Sequence, residues 1–155
     1  MGLFGPSKGT AESAIKFING FITKVGLDSN ECLAENNNEF AAWTCSQGSA
    51  SVIIYVNKNP EFPYISGFSP IVKLPEADQA NALLHHCMDE NNSSPATIAL
   101  DEEAGEIVVR YGRPIEGLDK EELEGMMAVV SGVADELDNK LADKFGCEMI
   151  GVDPA

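Results

Sequence analysis

A chain of 155 residues, 44% apolar and 23% charged, is long enough to bury a core without a disulfide or a metal, and its composition excludes global disorder. Ten basic residues face 25 acidic ones, for a net charge of −15, and Arg110 and Arg113 are the only arginines. Binding to phosphate requires clustered Lys and Arg, so this balance excludes nucleic acid and anionic membrane surfaces as partners.

Residues 1–9 are rich in Gly and Pro and are expected to be loose. Met1-Gly2-Leu3-Phe4-Gly5-Pro6 has neither the basic start nor the apolar stretch of a signal peptide. It opens like a myristoylation signal, but Pro6 stands where Ser or Thr is required. Thr10 is placed to cap a helix with Glu12 in its first turn. Ala11, Ala14, Ile15, Ile18, Phe21, Ile22 and Val25 then recur at helical spacing, which predicts a first helix over residues 10–25. Residues 26–38, closed by Asn36-Asn37-Asn38, read as a loop. Three strands follow. Phe40–Cys45 holds Trp43 and ends in a Gln47-Gly48-Ser49 turn. Ser51–Asn57 is rich in β-branched residues, and its nearly continuous apolar run suggests cover on both faces. Tyr64–Val72 is interrupted by Gly67 and Pro70, which points to an edge, a bulge or a strand end.

Pro75 suits the first turn of a second helix, whose face is Ala77, Ala80, Leu83, Leu84, Cys87 and Met88 and whose end is Asn91-Asn92. Ala96–Leu100 and Glu106–Tyr111 form a hairpin through the acidic loop Asp101–Gly105. Gly112-Arg113-Pro114 turns the chain. Asp119 caps the last helix, and Glu121, Glu122 and Glu124 suit its positive end. Leu123, Met126, Met127, Val130, Val133, Ala134, Leu137, Leu141 and Phe145 make its apolar face, and Gly146 stops it. The fold class is therefore α+β in the order α-β-β-β-α-β-β-α, with an antiparallel five-stranded sheet packed with helices. The expected division is a loose N-terminus (1–9), one domain (10–146) and a C-terminal tail (147–155).

Reactive constellations are missing from this pattern. His85 and His86 are adjacent, so a helix points them about 100° apart and they do not converge on one metal. His85 with Asp89, or His86 with Glu90, has the spacing of a helical pair instead. Cys87 falls on an apolar face and Cys45 in a strand, where both read as small core residues without a base. The four cysteines, Cys32, Cys45, Cys87 and Cys147, form no C-x-x-C pair and suit free thiols in a reducing compartment. The Asp101, Glu102, Glu103 and Glu106 carboxylates lack a calcium-loop pattern. No stretch approaches the roughly 18 apolar residues of a membrane span. These features lead to the expectation of a cytoplasmic, non-enzymatic protein with no cofactor, no bound metal and no membrane partner.

The stretch Leu100–Tyr111, then Pro114-Ile115-Glu116-Gly117-Leu118, then Glu121-Glu122-Leu123, in this order of elements, resembles the YbjN-type bacterial proteins. Ser69–Pro75 leading into a helix that ends at Asn91 is similar too, and the likeness runs over about residues 40–145. The resemblance implies the fold of the class I type III secretion chaperones, which bind extended segments of client proteins. It also implies a small, acidic and often dimeric protein. From the residues, the expected protein-binding positions are Met126, Met127, Val130, Tyr64, Phe68, Arg110 and Arg113. One member of each adjacent pair, Met126-Met127 and Val129-Val130, is expected to leave the central stripe for a second contact. Tyr64 and Phe68 lie across the sheet from Ile65 by alternation. The two guanidiniums are either structural clamps or anchors for a partner. A homodimer that binds a protein or peptide is the leading expectation. The alternative is a small-molecule sensor whose internal pocket is lined by Trp43, Tyr55 or Arg110.

Overall fold

A computed structural model of the protein describes residues 9–47 and 50–151. The expected loose start, apart from Gly9, lies outside the described residues, as do Gly48-Ser49 of the expected turn and residues 152–155 of the expected tail. The elements are α1 (Ala11–Lys24), α2 (Ser29–Cys32), β1 (Leu33–Asn36), β2 (Phe40–Gln47), β3 (Ala50–Asn57), β4 (Tyr64–Lys73), α3 (Ala77–Glu90), β5 (Thr97–Asp101), β6 (Glu106–Pro114) and α4 (Lys120–Phe145). The class is α+β with an antiparallel sheet, as the alternation predicts. The sheet has six strands rather than five, in the order β1-β2-β3-β4-β6-β5. The chain forms two compact units. The first comprises Met1–Cys45, Ile54–Ser66 and Gly112–Gly125, and the second comprises Ser46–Ile53, Gly67–Tyr111 and Met126–Ala155.

In the first unit, α1 starts at a reciprocal cap. The Thr10 hydroxyl accepts the Ser13 N–H at 3.1 Å, and the Ser13 hydroxyl accepts the Thr10 N–H at 3.0 Å. Ala14, Ile18 and Ile22 are the buried stripe of α1. The residues expected to form a loop over 26–38 instead make α2 and the edge strand β1. Asp28 caps α2 by accepting the Asn30 and Glu31 N–H groups. Asn37 builds the β1–β2 turn, its side-chain oxygen accepting the Glu39 and Phe40 N–H groups at 2.8 and 2.9 Å. β1 escapes a periodicity reading because only Leu33 is partly buried, its other residues being exposed. Ala41 and Trp43 of β2 and Ile54 and Val56 of β3 are buried, alternating with more exposed neighbours, and Ile65 of β4 is buried next to half-buried Tyr64.

The Gly112-Arg113-Pro114 turn is also corrected, because β6 continues through all three residues. A Cβ at Gly112 would lie 3.2 Å from the Ser66 Cβ, so the missing side chain lets β6 lie close against β4. The corner comes one step later, at Ile115–Leu118, closed by the Leu118 N–H donating to the Ile115 carbonyl at 2.9 Å. Asp119 caps α4 as expected. Its carboxylate accepts the Glu122 N–H at 2.8 Å, and the Glu122 carboxylate accepts the Asp119 N–H at 3.2 Å.

The second unit packs Ile71, Val72, Leu83, Cys87, Ile98, Ile107, Val109, Leu137, Leu141, Phe145 and Cys147 into one core. The residues just after α4 are part of it. Met149 bridges to Val72, the Ile150 N–H donates to the Ile71 carbonyl at 2.9 Å, and Cys147 is buried. Pro75, expected in the first turn of this helix, instead precedes it: Glu76 is the cap residue and α3 begins at Ala77. Asn91 does more than end α3. Its amide accepts the Ile98 N–H at 2.7 Å and donates to the Ile98 carbonyl at 3.0 Å, like a neighbouring strand. β5 is an edge strand, so this side chain occupies hydrogen-bonding groups that an edge leaves open. Asn91→Ala removes both bonds beside a nearly buried backbone and is expected to cost about 1–3 kcal/mol in a urea titration. A loss under about 0.5 kcal/mol would show that water replaces the amide.

Candidate functional site

The residues of interest in the first unit follow from the same alternation. Phe40 of β2, Tyr55 of β3 and Tyr64 of β4 are the half-buried neighbours of Ala41, Ile54, Val56 and Ile65. They occupy three adjacent strands, and their rings meet in a row. Phe40 stacks on Tyr55 at a centroid distance of 5.3 Å, and Tyr55 lies 6.0 Å from Tyr64. Phe62, just before β4, extends the row at 6.4 Å from Tyr64 and is 62% exposed. Rings in such contact contribute about 0.5–1.5 kcal/mol per pair beyond their burial. Burial first, then the neighbouring Tyr64 and Glu39, raise the Tyr55 pKa above its ordinary value. Both the burial and the charges disfavour the phenolate, so the Tyr55 hydroxyl is a neutral donor and acceptor at neutral pH.

An open depression of ≈ 430 Å³ lies at the Phe40–Tyr55 end of the row, lined by Asn38, Glu39, Phe40, Tyr55, Asn57, Lys58, Asn59 and Pro60. Lys58 is held rather than free, its ammonium donating to the Asn36 side chain and the Asn37 carbonyl. Its N–H also donates to the Glu39 carbonyl at 2.8 Å, which fixes the β1–β2 turn to the end of β3. Exposed Glu35, Glu39 and Glu61 lie in the segments that carry this surface, which is thus apolar and aromatic with an acidic margin.

The protein-binding positions expected from sequence are only partly available to a partner. Met126, Met127 and Val130 are buried, at 4%, 4% and 0% exposure, so they present no surface in this state. The expectation that one methionine leaves the stripe is corrected, since a core-facing stripe more than about 100° wide accommodates adjacent residues. Gly67 provides the room for one of them, because a Cβ there would lie 2.6 Å from Met127 Cε and 3.7 Å from Val130 Cγ2. Arg113 is a clamp. It pairs with Glu122 at 2.8 Å and donates to the Pro114 and Glu116 carbonyls at 3.1 and 2.8 Å, spanning the corner before α4. Arg110 is exposed on β6 opposite Thr97, and Phe68 is half-buried. Tyr64 stands in the aromatic row. Trp43, weighed as a pocket wall, is 1% exposed, and its indole N–H donates to Asn19 Oδ1 at 3.2 Å. Phe40 and Phe62 were passed over. The signal that finds Phe40 is its alternation with Ala41 and Trp43, combined with the β2-β3-β4 adjacency.

The histidine pairing takes one of the two spacings weighed. His86 Nε2 lies 3.4 Å from the Glu90 carboxylate, and Glu90 also pairs with Lys140. Among the described residues no group of three His, Cys, Asp or Glu side chains is arranged to hold a metal, and no helix is long and apolar enough to cross a membrane.

Comparison with curated proteins returns no match. Solved structures share the fold. A chain of the ExsC–ExsE complex superposes with a TM-score of 0.61 at 15% identity, covering 83% of this chain and 93% of its own. A chain of the HopA1–SchA chaperone–effector complex gives 0.56 at 12%, covering 82% and 97%. A chain of the heterodimeric ExoU–SpcU complex, from the type III secretion system of Pseudomonas aeruginosa, gives 0.54 at 13%, covering 79% and 95%. The family model described as T3SS (YopN, CesT) and YbjN peptide-binding chaperone 1 matches residues 44–150, most of the chain, and the protein therefore belongs to that family.

Proposed function

We propose that this protein is a non-enzymatic peptide-binding chaperone or regulator, and that an extended client segment lies along the Phe40, Tyr55, Tyr64 and Phe62 row. The observation that carries the reading is the run of touching rings across three adjacent strands, ending in a ring 62% exposed. Aromatic side chains are the common anchors of protein interfaces, because they combine large apolar area with few rotatable bonds. The family description, the chaperone–effector complex among the fold relatives and the resemblance in sequence all support it. Charge narrows the client. With exposed Glu35, Glu39 and Glu61 nearby and a net charge of −15, a favoured segment carries Lys or Arg on either side of an apolar anchor.

A peptide array of apolar anchors flanked by basic or acidic residues tests this on the full chain. Basic-flanked peptides are expected to bind, more weakly as salt rises. A Tyr55→Ser, Phe62→Ala double variant is expected to bind them at least about tenfold more weakly, since a central interface ring is worth more than about 1 kcal/mol. Unchanged affinity in a double variant with a wild-type circular dichroism spectrum and melting curve would overturn the site. Homodimerisation belongs to the same proposal and is supported by the implied dimeric habit of the fold. Sedimentation is expected to show twice the 16.6 kDa chain mass, and a strict monomer at high micromolar concentration removes that part.

A further inference from the structure

The depression at the Phe40–Tyr55 end of the aromatic row has a chemistry of its own. Phe40 and Tyr55 give it two half-buried rings stacked 26° from parallel, and Glu39 gives it an exposed acidic residue. Glu39 stands in the turn before β2, where its carbonyl accepts the Lys58 N–H at 2.8 Å, so its backbone is fixed beside the end of β3. Its charge reaches the Tyr55 hydroxyl, whose pKa is raised by burial first and then by Tyr64 and Glu39. The cation that also lines the depression is already engaged. The Lys58 ammonium donates to the Asn36 side chain and the Asn37 carbonyl, and among the described residues Glu39 has no ion-pair partner. Two asparagines are occupied as well. Asn57 Oδ1 accepts the Asn59 N–H at 2.7 Å, and Asn59 Oδ1 accepts the Glu61 N–H at 3.0 Å. What stays open to an incoming side chain is ring surface, the neutral Tyr55 hydroxyl and one unpaired carboxylate.

We propose that this depression seats an arginine side chain of the client, its guanidinium against the Phe40–Tyr55 rings and paired with Glu39. The proposal rests on the reading of the row as a peptide site and names the residue which that site selects. A planar, weakly hydrated guanidinium lies against a ring, within about 6 Å of its centroid, and still directs N–H groups at a carboxylate and a hydroxyl. A lysine ammonium is a compact, strongly hydrated point charge and gains less from the rings. An apolar side chain would cover Glu39 without pairing it, and an acidic one would face a like charge. A spacing follows from the strand order. β2, β3 and β4 are successive neighbours. Neighbouring strands lie about 4.8 Å apart, which sets β2 about 10 Å from β4. An extended chain advances about 3.3 Å per residue, so the arginine stands about three residues from an apolar anchor seated at Tyr64 and Phe62.

The test titrates the full chain with a peptide that carries an apolar anchor and one arginine at that spacing, and with its lysine and citrulline counterparts. Arginine and lysine have the same charge, so the net charge of −15 acts on both alike and the difference between them reads the seat. The lysine peptide is expected to bind about threefold more weakly and the citrulline peptide about tenfold more weakly, the scale of a cation on a ring together with one exposed ion pair. Glu39→Gln is expected to weaken the arginine peptide about threefold and to leave the citrulline peptide within about twofold. Moving the arginine next to the anchor is expected to erase its advantage over lysine. Equal affinity for the three peptides, or an equal loss of the arginine and citrulline peptides in Glu39→Gln, would overturn the seat. If those peptides still weaken in the Tyr55→Ser, Phe62→Ala variant, the row stands without it. Failure of every peptide to bind overturns the row and the seat together, so the two readings fail distinguishably.

Discussion

Trp43→Ala is expected to destabilise the protein by about 3–5 kcal/mol, the range for emptying a fully buried large aromatic position. Trp43 is 1% exposed on the buried side of β2, and its indole N–H reaches Asn19 on α1 at 3.2 Å. Two contributions are therefore lost together: apolar burial and a hydrogen bond from helix to sheet. Trp43→Phe separates them. It keeps most of the ring volume and removes the donor, so its cost is expected near 1 kcal/mol, because half-buried Asn19 can turn to water. Adding Asn19→Ala to Trp43→Phe should then cost little more, since no partner remains to lose. Urea titrations followed by far-ultraviolet circular dichroism measure all three. A Trp43→Ala loss below about 1 kcal/mol would mean that the site refills by repacking, and that the first unit does not depend on this ring.

Such an effect also shows which parts of the fold were legible in the sequence. Helix starts were readable because their chemistry is local. Thr10 and Asp119 satisfy N–H groups within three residues, and both caps form as expected. The buried face of α4 was readable because a period of 3.6 survives along it, whereas the nearly continuous apolar run of β3, which suggests cover on both faces, hid the alternation that buries Ile54 and Val56 and leaves Tyr55 half-buried. What escaped depends on distant partners. β1 is Leu-Ala-Glu-Asn, a run without β-branched residues, and it is a strand because β2 lies alongside it. Gly112 and Pro114 looked like breakers, yet Gly112 serves close strand contact and Pro114 sits at the very end of β6. The pairing of Met149 and Ile150 with β4 has no signature in four residues beyond a helix stop. The site follows the same division. Tyr64 was found by alternation within its own strand. The row needed knowledge that β2, β3 and β4 are neighbours, because Phe40, Tyr55 and Tyr64 are separated in sequence and joined only by strand order. The methionines misled because composition marks Met as suited to adaptable surfaces but does not say which surface is covered.

Gly67 and Met127 carry the last large expected effect, and its sign pattern is diagnostic. Gly67→Val places new carbon where Met127 Cε already sits, 2.6 Å from the position of the added Cβ. The methionine is flexible and can withdraw, but both residues are buried, so withdrawal displaces other core atoms. Overpacking of this kind costs about 1–3 kcal/mol. Met127→Ala alone has the opposite defect, a void over Gly67, and is expected to cost about 2–5 kcal/mol. Combined, the two changes exchange volume across one contact. The double variant should therefore be more stable than the sum of the single losses predicts, by about 0.5–3 kcal/mol, the range for residues that touch. Additive losses would mean that Gly67 is required for its backbone rather than for the space it leaves. A coupled result would explain why a strand interrupted by glycine lies in the interior: the missing side chain at Gly67 is the seat of the Met127 side chain, and this is how adjacent methionines on α4 come to be buried together.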